Sequence, residues 1–245
     1  LSTSGSAYIF KREGDTWIQQ VKLTPDDLTA NEYFGSIVNI DGDYAVVGSP
    51  YNDNSGYTNS GAVYIFKRDG ETWVEEAKII DPAAVSSGRF GRSVGINSNR
   101  IIVGGDQKAI IFQNDGADWV QQKEILPDTD TGVFSDSVAI SEDYAIVGDY
   151  GDDDAGDASG AVYFYPLAFV EISADPEAIL SGQSTTLTWF SNFADSCTIE
   201  PDIGTVDANG SMTVSPSETT IYTISATGYG ITATDQVAVT VTYPL

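Results

Sequence analysis

Short runs of apolar and aromatic residues, interleaved with polar residues and tight turns, recur along the first two thirds of the chain. Four kinds of run follow one another in a fixed order, and each full set ends near a tryptophan: Trp17, Trp73 and Trp119, which lie 56 and 46 residues apart. β-Branched and aromatic residues dominate the runs, as suits a half-buried pleated surface. None of the runs has the periodicity of a helix. A repeat of this length, built from short strands, predicts a β-propeller or a related array.

The second repeat shows the four strand-like runs most clearly. They are Tyr33–Val38, Asp43–Gly48, Gly61–Phe66 and Thr72–Ala77, and Asp-Gly pairs separate several of them. Such pairs favour the positive φ angles of tight hairpins. Counting equivalent runs gives two strands before residue 28, then four, four, and three that end near Tyr165.

This count predicts about three four-stranded blades in residues 1–166, a segment too short to close a ring. Propellers are built from about four to eight blades. We therefore expect an incomplete ring, completed either by blades before Leu1 or by another chain. An arc left open would expose sheet edges, which proteins usually avoid.

The pattern changes after Pro166: lysine and arginine disappear, and the tryptophan repeat stops. Leu187 and Trp189 alternate with polar residues, as in a sheet with one wet face. Seven short strands are predicted here: Val170–Ala174, Ser184–Ser191, Cys197–Glu200, Gly204–Asp207, Ser211–Ser215, Ile221–Thr227 and Thr234–Thr242. Seven strands over this length predict an immunoglobulin-like β-sandwich in residues 167–245. The predicted fold class is thus all-β throughout.

The net charge of the chain limits the kinds of molecule that it can bind. The chain has 36 acidic against 11 basic residues, for a net charge of −25. Because a nucleic-acid binder needs the opposite sign to release phosphate counterions, the net charge disfavours that class of protein. No run approaches the roughly 18 apolar residues of a membrane-spanning helix, so we expect no membrane insertion in the visible chain. With no histidine and only Cys197, a histidine-based triad and an intramolecular disulfide are excluded as well.

Three pairs of residues resemble a known repeat motif. Phe34-Gly35 is followed by Gly48-Ser49-Pro50, and the pair returns as Phe90-Gly91 and as Phe134-Ser135. These residues look like FG-GAP repeats, the β-propeller repeats of integrin α-subunits and of many bacterial surface proteins. The run Gly61–Phe66 followed by Thr72-Trp73 is similar to a bacterial subtype. The resemblance covers residues 1–165 and implies a propeller of FG-GAP type.

The second part resembles another family, the bacterial immunoglobulin-like modules of long extracellular proteins, over residues 170–243. Together the two resemblances imply a secreted or surface-attached protein used for adhesion, matrix interaction or appendage building. The expected partner is a protein or glycan surface ligand, and the expected location is extracellular.

Calcium is the only cofactor for which the sequence offers ligands. In integrin-type repeats the metal binds a loop just before the Val-Gly run, but here those segments are too short and read as hairpin turns. A later loop has more carboxylates: Asp149, Asp152, Asp153, Asp154 and Asp157. Calcium takes six to eight oxygen ligands, so this loop is a candidate site. The alternative is a solvated acidic loop, because the spacing fits no EF-hand pattern.

Aromatic residues offer a second kind of site. The repeated tryptophans either line a sugar-binding groove or pack between blades, and their identical place in each repeat favours packing. The tyrosines of the loops do not recur at one place in each repeat, so packing between blades does not account for them. Tyr51, Tyr57 and Tyr150 are therefore the candidate ligand contacts.

We expect no enzymatic activity. A pair of carboxylates of glycosidase type is the natural option in a chain without histidine, but none of the acidic residues sits in a recognisable motif. The prediction is a non-enzymatic extracellular protein for adhesion or matrix interaction through propeller loops. One alternative is a structural subunit of a filament or sheath, a homo-oligomer assembled by strand or edge complementation. A second is a non-catalytic module of a polysaccharide-active enzyme.

Overall fold

The structure is a computed structural model that describes residues 2–54, 56–127, 133–156 and 159–243. Strands are its regular elements, and the described ranges contain no helix long and apolar enough to cross a membrane. The chain divides into two compact units, Leu1–Tyr165 and Pro166–Leu245. The all-β class predicted from the sequence is confirmed.

Four antiparallel sheets, each built from strands in chain order, make up the first unit. The first sheet is β1 (Ala7–Glu13) with β2 (Thr16–Leu23). The second is β3 (Ile37–Asp41), β4 (Tyr44–Ser49), β5 (Ala62–Asp69) and β6 (Thr72–Ile79). The third is β7 (Ser93–Asn97), β8 (Arg100–Gly104), β9 (Ala109–Asn114) and β10 (Trp119–Ile125). The fourth is β11 (Ser137–Ile140), β12 (Tyr144–Asp149) and β13 (Ala161–Pro166).

The predicted sequence of two, four, four and three strands is therefore confirmed in the described residues. The sheets fit the blades of a β-propeller, and they do not close into a ring. One boundary differs from expectation. The run Tyr33–Val38 was expected to begin the first strand of its repeat, but β3 begins at Ile37. Tyr33 and Gly35 have φ angles of 56° and 88°, which an extended strand cannot adopt.

Neighbouring sheets pack through two apolar clusters. One joins the β1–β2 hairpin to the second sheet through residues such as Ala7, Leu23, Val47 and Tyr64. The other joins the second sheet to the third. β11 of the fourth sheet in turn lies against β7 and β8. One face of an inner sheet therefore packs against the preceding sheet and the other face against the following sheet. This explains why β4 and β8 are almost entirely apolar.

The two residues of the Phe-Gly motif contribute to this packing in different ways. Phe34, Phe90 and Phe134 are all fully buried and meet an aromatic ring of the third strand of their own sheet edge-on. A Cβ on Gly35 would lie 2.5 Å from the carbonyl oxygen of Ser6 in the preceding repeat. Glycine at this position therefore allows two repeats to approach closely.

In the fourth repeat, Ser135 takes the place of that glycine, at a φ of 68°. The Ser135 hydroxyl oxygen lies 2.9 and 2.7 Å from the carbonyl oxygens of Gly105 and Lys108, and its single proton is donated to one of them or shared between them. The loop that connects β8 to β9 is short, and two of its carbonyl oxygens lie within hydrogen-bonding distance of this serine.

The second unit contains two sheets around one core. The first is β14 (Phe169–Asp175), β16 (Thr185–Asn192) and β19 (Gly210–Val214), in that order. The second is ordered β15 (Ala178–Leu180), β21 (Ile231–Thr242), β20 (Thr220–Gly228), β17 (Ser196–Glu200) and β18 (Gly204–Val206). Inward residues of both sheets form one cluster that includes Trp189, Cys197 and Tyr222.

Seven of these eight strands match the predicted ones within a few residues, and β15 was missed. It is only three residues long and joins the sheet by pairing in parallel with β21. Such a short parallel strand has no hairpin signal beside it. Cys197 is free and buried, as expected for a small apolar core residue.

Candidate functional site

Two loops at the same end of their sheets hold most of the predicted site residues. One connects β4 to β5 and the other connects β12 to β13. In the first, the Gly61 amide donates to the carbonyl oxygen of Asn52 at 2.9 Å. In the second, the Gly160 amide donates to the carbonyl oxygen of Asp152 at the same distance. Asn52 and Asp152 are therefore equivalent positions, and both are buried.

The side chains at these positions meet a tyrosine of the next strand. The Tyr163 hydroxyl donates to Asp152 Oδ2 at 2.7 Å. Because the carboxylate accepts this proton, the pKa of Tyr163 rises to about 12. In the other loop, Asn52 Nδ2 donates to the Tyr64 hydroxyl at 3.3 Å, which itself donates to Asp27 Oδ1 at 2.9 Å. Burial, followed by the bond to Asp27, raises the pKa of Tyr64.

The predicted calcium loop separates into buried and exposed carboxylates. Asp149 and Asp152 are buried, whereas Asp153 and Asp154 are exposed, and Asp157 lies outside the described residues. Asp149 Oδ1 accepts from the Gly151 amide at 3.0 Å. Asp152 Oδ1 accepts from the Asp154 amide at 3.2 Å. Both buried carboxylates thus stabilise turns of the loop itself.

Within the part of the chain that the structure describes, no group of three or more acidic, histidine or cysteine side chains is placed to hold a metal ion. Calcium binding by this loop, including Asp157, stays a prediction.

The three candidate tyrosines differ in exposure. Tyr57 and Tyr150 are 44% and 61% exposed, so both rings are open to a partner. Tyr51 is half-buried: its ring lies 4.9 Å from that of Tyr33, and the Arg89 guanidinium carbon lies 5.5 Å from its centroid. These two neighbours were missed from the sequence. Both directly precede the buried phenylalanine of their repeat, which is the one signal that could have indicated them.

Two of the three repeated tryptophans, Trp73 and Trp119, face a neighbouring sheet, whereas Trp17 is 67% exposed. Trp73 Nε1 donates to Gln20 Oε1 at 3.1 Å, and Trp119 Nε1 donates to Glu76 Oε2 at 3.4 Å. Trp119 also meets the Tyr44 ring edge-on, with centroids 5.6 Å apart. These contacts are those of inter-blade packing, the alternative that the sequence favoured over a sugar-binding groove.

An acidic groove lies between the outer strands β2 and β6 and is lined in part by Trp73, Asp27, Glu75 and Lys78. Burial, and then the charges of Asp27 and Asp26, raise the pKa of Glu75. Burial alone would raise the pKa of Asp27 too, but hydrogen bonds from Lys78 and Tyr64 outweigh it and lower that pKa. The pKa values of the two carboxyls in this groove are therefore shifted in opposite directions.

Comparison with known proteins supports an FG-GAP repeat protein. The family model described as the FG-GAP repeat matches residues 17–66 and 119–165. These ranges contain β3, β4 and β10 to β12 in full and most of β2, β5 and β13. The third sheet, whose loop between the second and third strands is short, lies largely between the two matched segments. No curated protein matches the chain.

Among solved structures, the chain is similar to the extracellular domain of a hybrid two-component system protein from B. thetaiotaomicron, at 11% identity and a TM-score of 0.32. The match covers 88% of this chain and 31% of that one, so the chain spans about a third of the length of its structural neighbour.

Proposed function

We propose that the chain is a non-enzymatic extracellular protein that binds a protein or glycan surface ligand through the loops at one end of its propeller sheets. The observation that carries the proposal is the pair of exposed rings, Tyr57 and Tyr150, on equivalent loops. Large exposed aromatic side chains on loops are common anchors of binding surfaces, because they bury much area and have few rotatable bonds. The FG-GAP repeat match supports this reading.

Contacts with neighbouring side chains fix one aromatic ring near this surface. The Tyr51 ring is held between Tyr33 of its own repeat and Arg89 of the next. A fixed aromatic ring loses little rotamer freedom when a ligand binds. The second loop carries Tyr150 and the exposed residues Asp153 and Asp154, so it suits a partner with cationic or hydroxyl groups.

A binding screen with matched variants tests the proposal. The chain is presented to immobilised glycans and to extracellular matrix proteins, and each positive partner is titrated again with Tyr150→Ala and Tyr57→Ala. We expect each variant to weaken binding about tenfold or more, as for a contact worth above 1 kcal/mol. Tyr243→Ala is the control, since Tyr243 is 66% exposed but lies in the second unit. Equal loss in the control, or no loss in the loop variants, would reject the tyrosine surface.

For the second unit we propose an immunoglobulin-like sandwich that serves as a structural module. Two sheets of three and five strands around one apolar core support this class. Trp189 in that core donates from Nε1 to the Asp207 carbonyl oxygen at 2.9 Å, which satisfies its polar atom.

Assembly by strand complementation is the second candidate function, favoured by a specific observation. Among the described residues β1 pairs along one side only, with β2, and its other side is an unpaired edge. Unpaired edges are templates for another strand. Sedimentation velocity over a range of concentrations tests this candidate: oligomers that grow with concentration support it, and a monomer at all concentrations rejects self-assembly.

A further inference from the structure

One aromatic ring of the loop that connects β4 to β5 is in contact with two side chains from neighbouring turns. The Tyr51 ring centroid lies 4.9 Å from that of Tyr33 and 5.5 Å from the guanidinium carbon of Arg89. Both of these neighbours are exposed, whereas Tyr51 is half-buried. We call the three residues the arginine–tyrosine cluster.

The backbone fixes this cluster in place. The Arg89 amide donates to the Asn59 carbonyl oxygen at 3.1 Å, and the Ser87 amide donates to the Thr58 carbonyl oxygen at 2.8 Å, so the turn before β7 is joined to the loop. Arg89 and Tyr33 have φ angles of 46° and 56°, a conformation that bulky residues rarely adopt. Such strain persists only where the surroundings determine the conformation, and it is common at binding sites.

Arg89 differs from most cations of this chain. Most of the eleven basic residues form an ion pair within the described ranges. The exposed Arg89 side chain makes no ion pair or hydrogen bond there, and its contact is with the Tyr51 ring. A guanidinium that stacks on an aromatic ring keeps its in-plane N–H donors available. The nearby Asp53 is held by another group, the Asn59 amide, which donates to its Oδ1 at 2.7 Å.

The packing of the repeats does not account for this arrangement. By sequence, Val133 takes the place of Arg89 in the next repeat, directly before Phe134. The corresponding loop, residues 105–108, has no aromatic residue. The fourth sheet nevertheless packs against the third, with β11 on β7 and β8. An arginine on a loop tyrosine is therefore an addition to the repeat, not a requirement of it.

We propose that the arginine–tyrosine cluster binds a carboxylate of an acidic glycan, with Arg89 donating to both carboxylate oxygens and the exposed Tyr33 ring lying against the sugar. The planar guanidinium matches a carboxylate with two parallel hydrogen bonds. The C–H groups of a sugar ring pack well on the negative face of an aromatic ring. The inference rests on the proposed function in taking a glycan as the ligand, and it deepens that function by naming the class of glycan.

The residues around the cluster favour a glycan over an acidic peptide. Exposed hydroxyl groups flank it at Thr58, Ser86 and Ser87, and hydroxyls both donate to and accept from sugar hydroxyls. Peptides are usually recognised by pockets for alternate apolar side chains. Val85 is the only aliphatic residue in the two flanking segments, 57–60 and 85–88.

The net charge of −25 is compatible with this ligand. Charges more than about 8 Å apart are largely screened at physiological ionic strength, whereas a direct contact with Arg89 is not. The cluster offers one cation, so it suits a short oligosaccharide with separate carboxylates. A nucleic acid needs many cations in one surface.

Titration with matched sugars tests the proposal. The probes are trisaccharides of galacturonate, mannuronate and glucuronate, each paired with its uncharged methyl ester. They are titrated into the full chain in EDTA, so that calcium cannot bridge carboxylates. We expect at least one acid to bind about tenfold or more tightly than its ester, as for a bidentate charged pair, and Arg89→Gln to remove that preference. Arg89→Lys should restore only part of it, because an ammonium cannot form the paired bonds.

Arg12→Gln is the matched control, since the Arg12 side chain is 65% exposed on β1, away from the cluster. It should leave every affinity unchanged, and melting curves check that each variant folds. Equal binding of acid and ester, a preference that survives Arg89→Gln, or no binding of any uronate would overturn the proposal. A triglutamate peptide that binds as tightly as the best uronate would reject the glycan class.

These results are separable from those of the binding screen. If a protein or neutral glycan binds through Tyr57 and Tyr150 while no uronate binds, the proposed function holds and the acidic ligand is wrong. If a uronate binds through Arg89 while Tyr57→Ala and Tyr150→Ala leave its affinity unchanged, the acidic ligand is right and the tyrosine surface of the proposed function is wrong.

Discussion

The Trp73 indole nitrogen donates a hydrogen bond of 3.1 Å to the Gln20 side-chain oxygen, and this bond joins the outer strands of two neighbouring sheets. Gln20 is the extra residue of a β-bulge between β1 and β2, since Ile9 pairs with Val21 but Phe10 pairs with Gln19. The next repeat does the same, with Trp119 donating to the bulge residue Glu76. Each bulge thus turns one side chain toward the tryptophan of the following repeat.

Removing one end of this link should destabilise the first unit. We expect Gln20→Ala and Trp73→Phe each to lower the free energy of unfolding by about 1 kcal/mol, the usual worth of one hydrogen bond. A double-mutant cycle in urea should give a coupling of about 0.5 kcal/mol or more, because the pair is in direct contact. Trp17→Phe is the control: Trp17 is 67% exposed and has no such partner among the described residues. Additive effects would show that the bond contributes nothing.

Close approach between repeats should make Gly61 far less replaceable than a turn glycine. A Cβ on Gly61 would lie 2.1 Å from the Phe90 carbonyl oxygen, whereas a Cβ on Gly70 meets nothing within 4 Å. Both have positive φ, 87° and 61°, so both alanine variants carry backbone strain, and Gly61→Ala adds the clash with Phe90. We expect Gly70→Ala to cost about 1 kcal/mol and Gly61→Ala about 3 kcal/mol or more. Chemical unfolding of the two variants side by side measures the difference, and equal costs would contradict the packing described here.

The loop carboxylate should control the titration of its tyrosine. The folded-state pKa of Tyr163, about 12, lies above the unfolded value of about 10. The stabilisation from its bond to Asp152 is therefore present below pH 10 and is lost as the pH rises toward 12. Asp152→Asn removes the charge and introduces the residue type that occupies the equivalent position, Asn52. We therefore expect the fold to persist and the pKa of Tyr163 to fall. Tyrosinate absorbance during a pH titration, compared between parent and variant, reports the shift; identical curves would argue against the bond.

Calcium binding by the acidic loop predicts a metal-dependent stability. Extracellular calcium modules bind at about 0.1–1 mM, so millimolar calcium should raise the melting temperature of the parent chain. Asp154→Ala and Asp157→Ala should remove that rise. Asp153→Asn, which retains an oxygen ligand without its charge, should reduce it less. An unchanged melting curve of the parent on adding calcium would reject the site, and magnesium in place of calcium controls for general screening of the acidic surface.

Local sequence predicted nearly all the strands of this protein. Turn chemistry at Asp41-Gly42 and Asp69-Gly70, with apolar runs between, placed nearly every strand, because both signals act over a few residues. It missed β15, whose pairing partner β21 lies some sixty residues away. It also expected a strand at Tyr33, because positive φ angles in the Phe-Gly turn leave no mark on hydrophobic periodicity.

What the sequence determined by itself was the all-β class, the repeat with its count of two, four, four and three strands, and the acidic and aromatic loops. Only the tertiary structure decided which side chains meet: Trp73 with Gln20, Tyr51 between Tyr33 and Arg89, and Tyr163 on Asp152. It also decided that Val38 is exposed while the equivalent Val94 is buried. The physical reason is that two copies of one motif have the same local preferences, whereas burial and hydrogen bonding depend on the sheet that stands beside each copy.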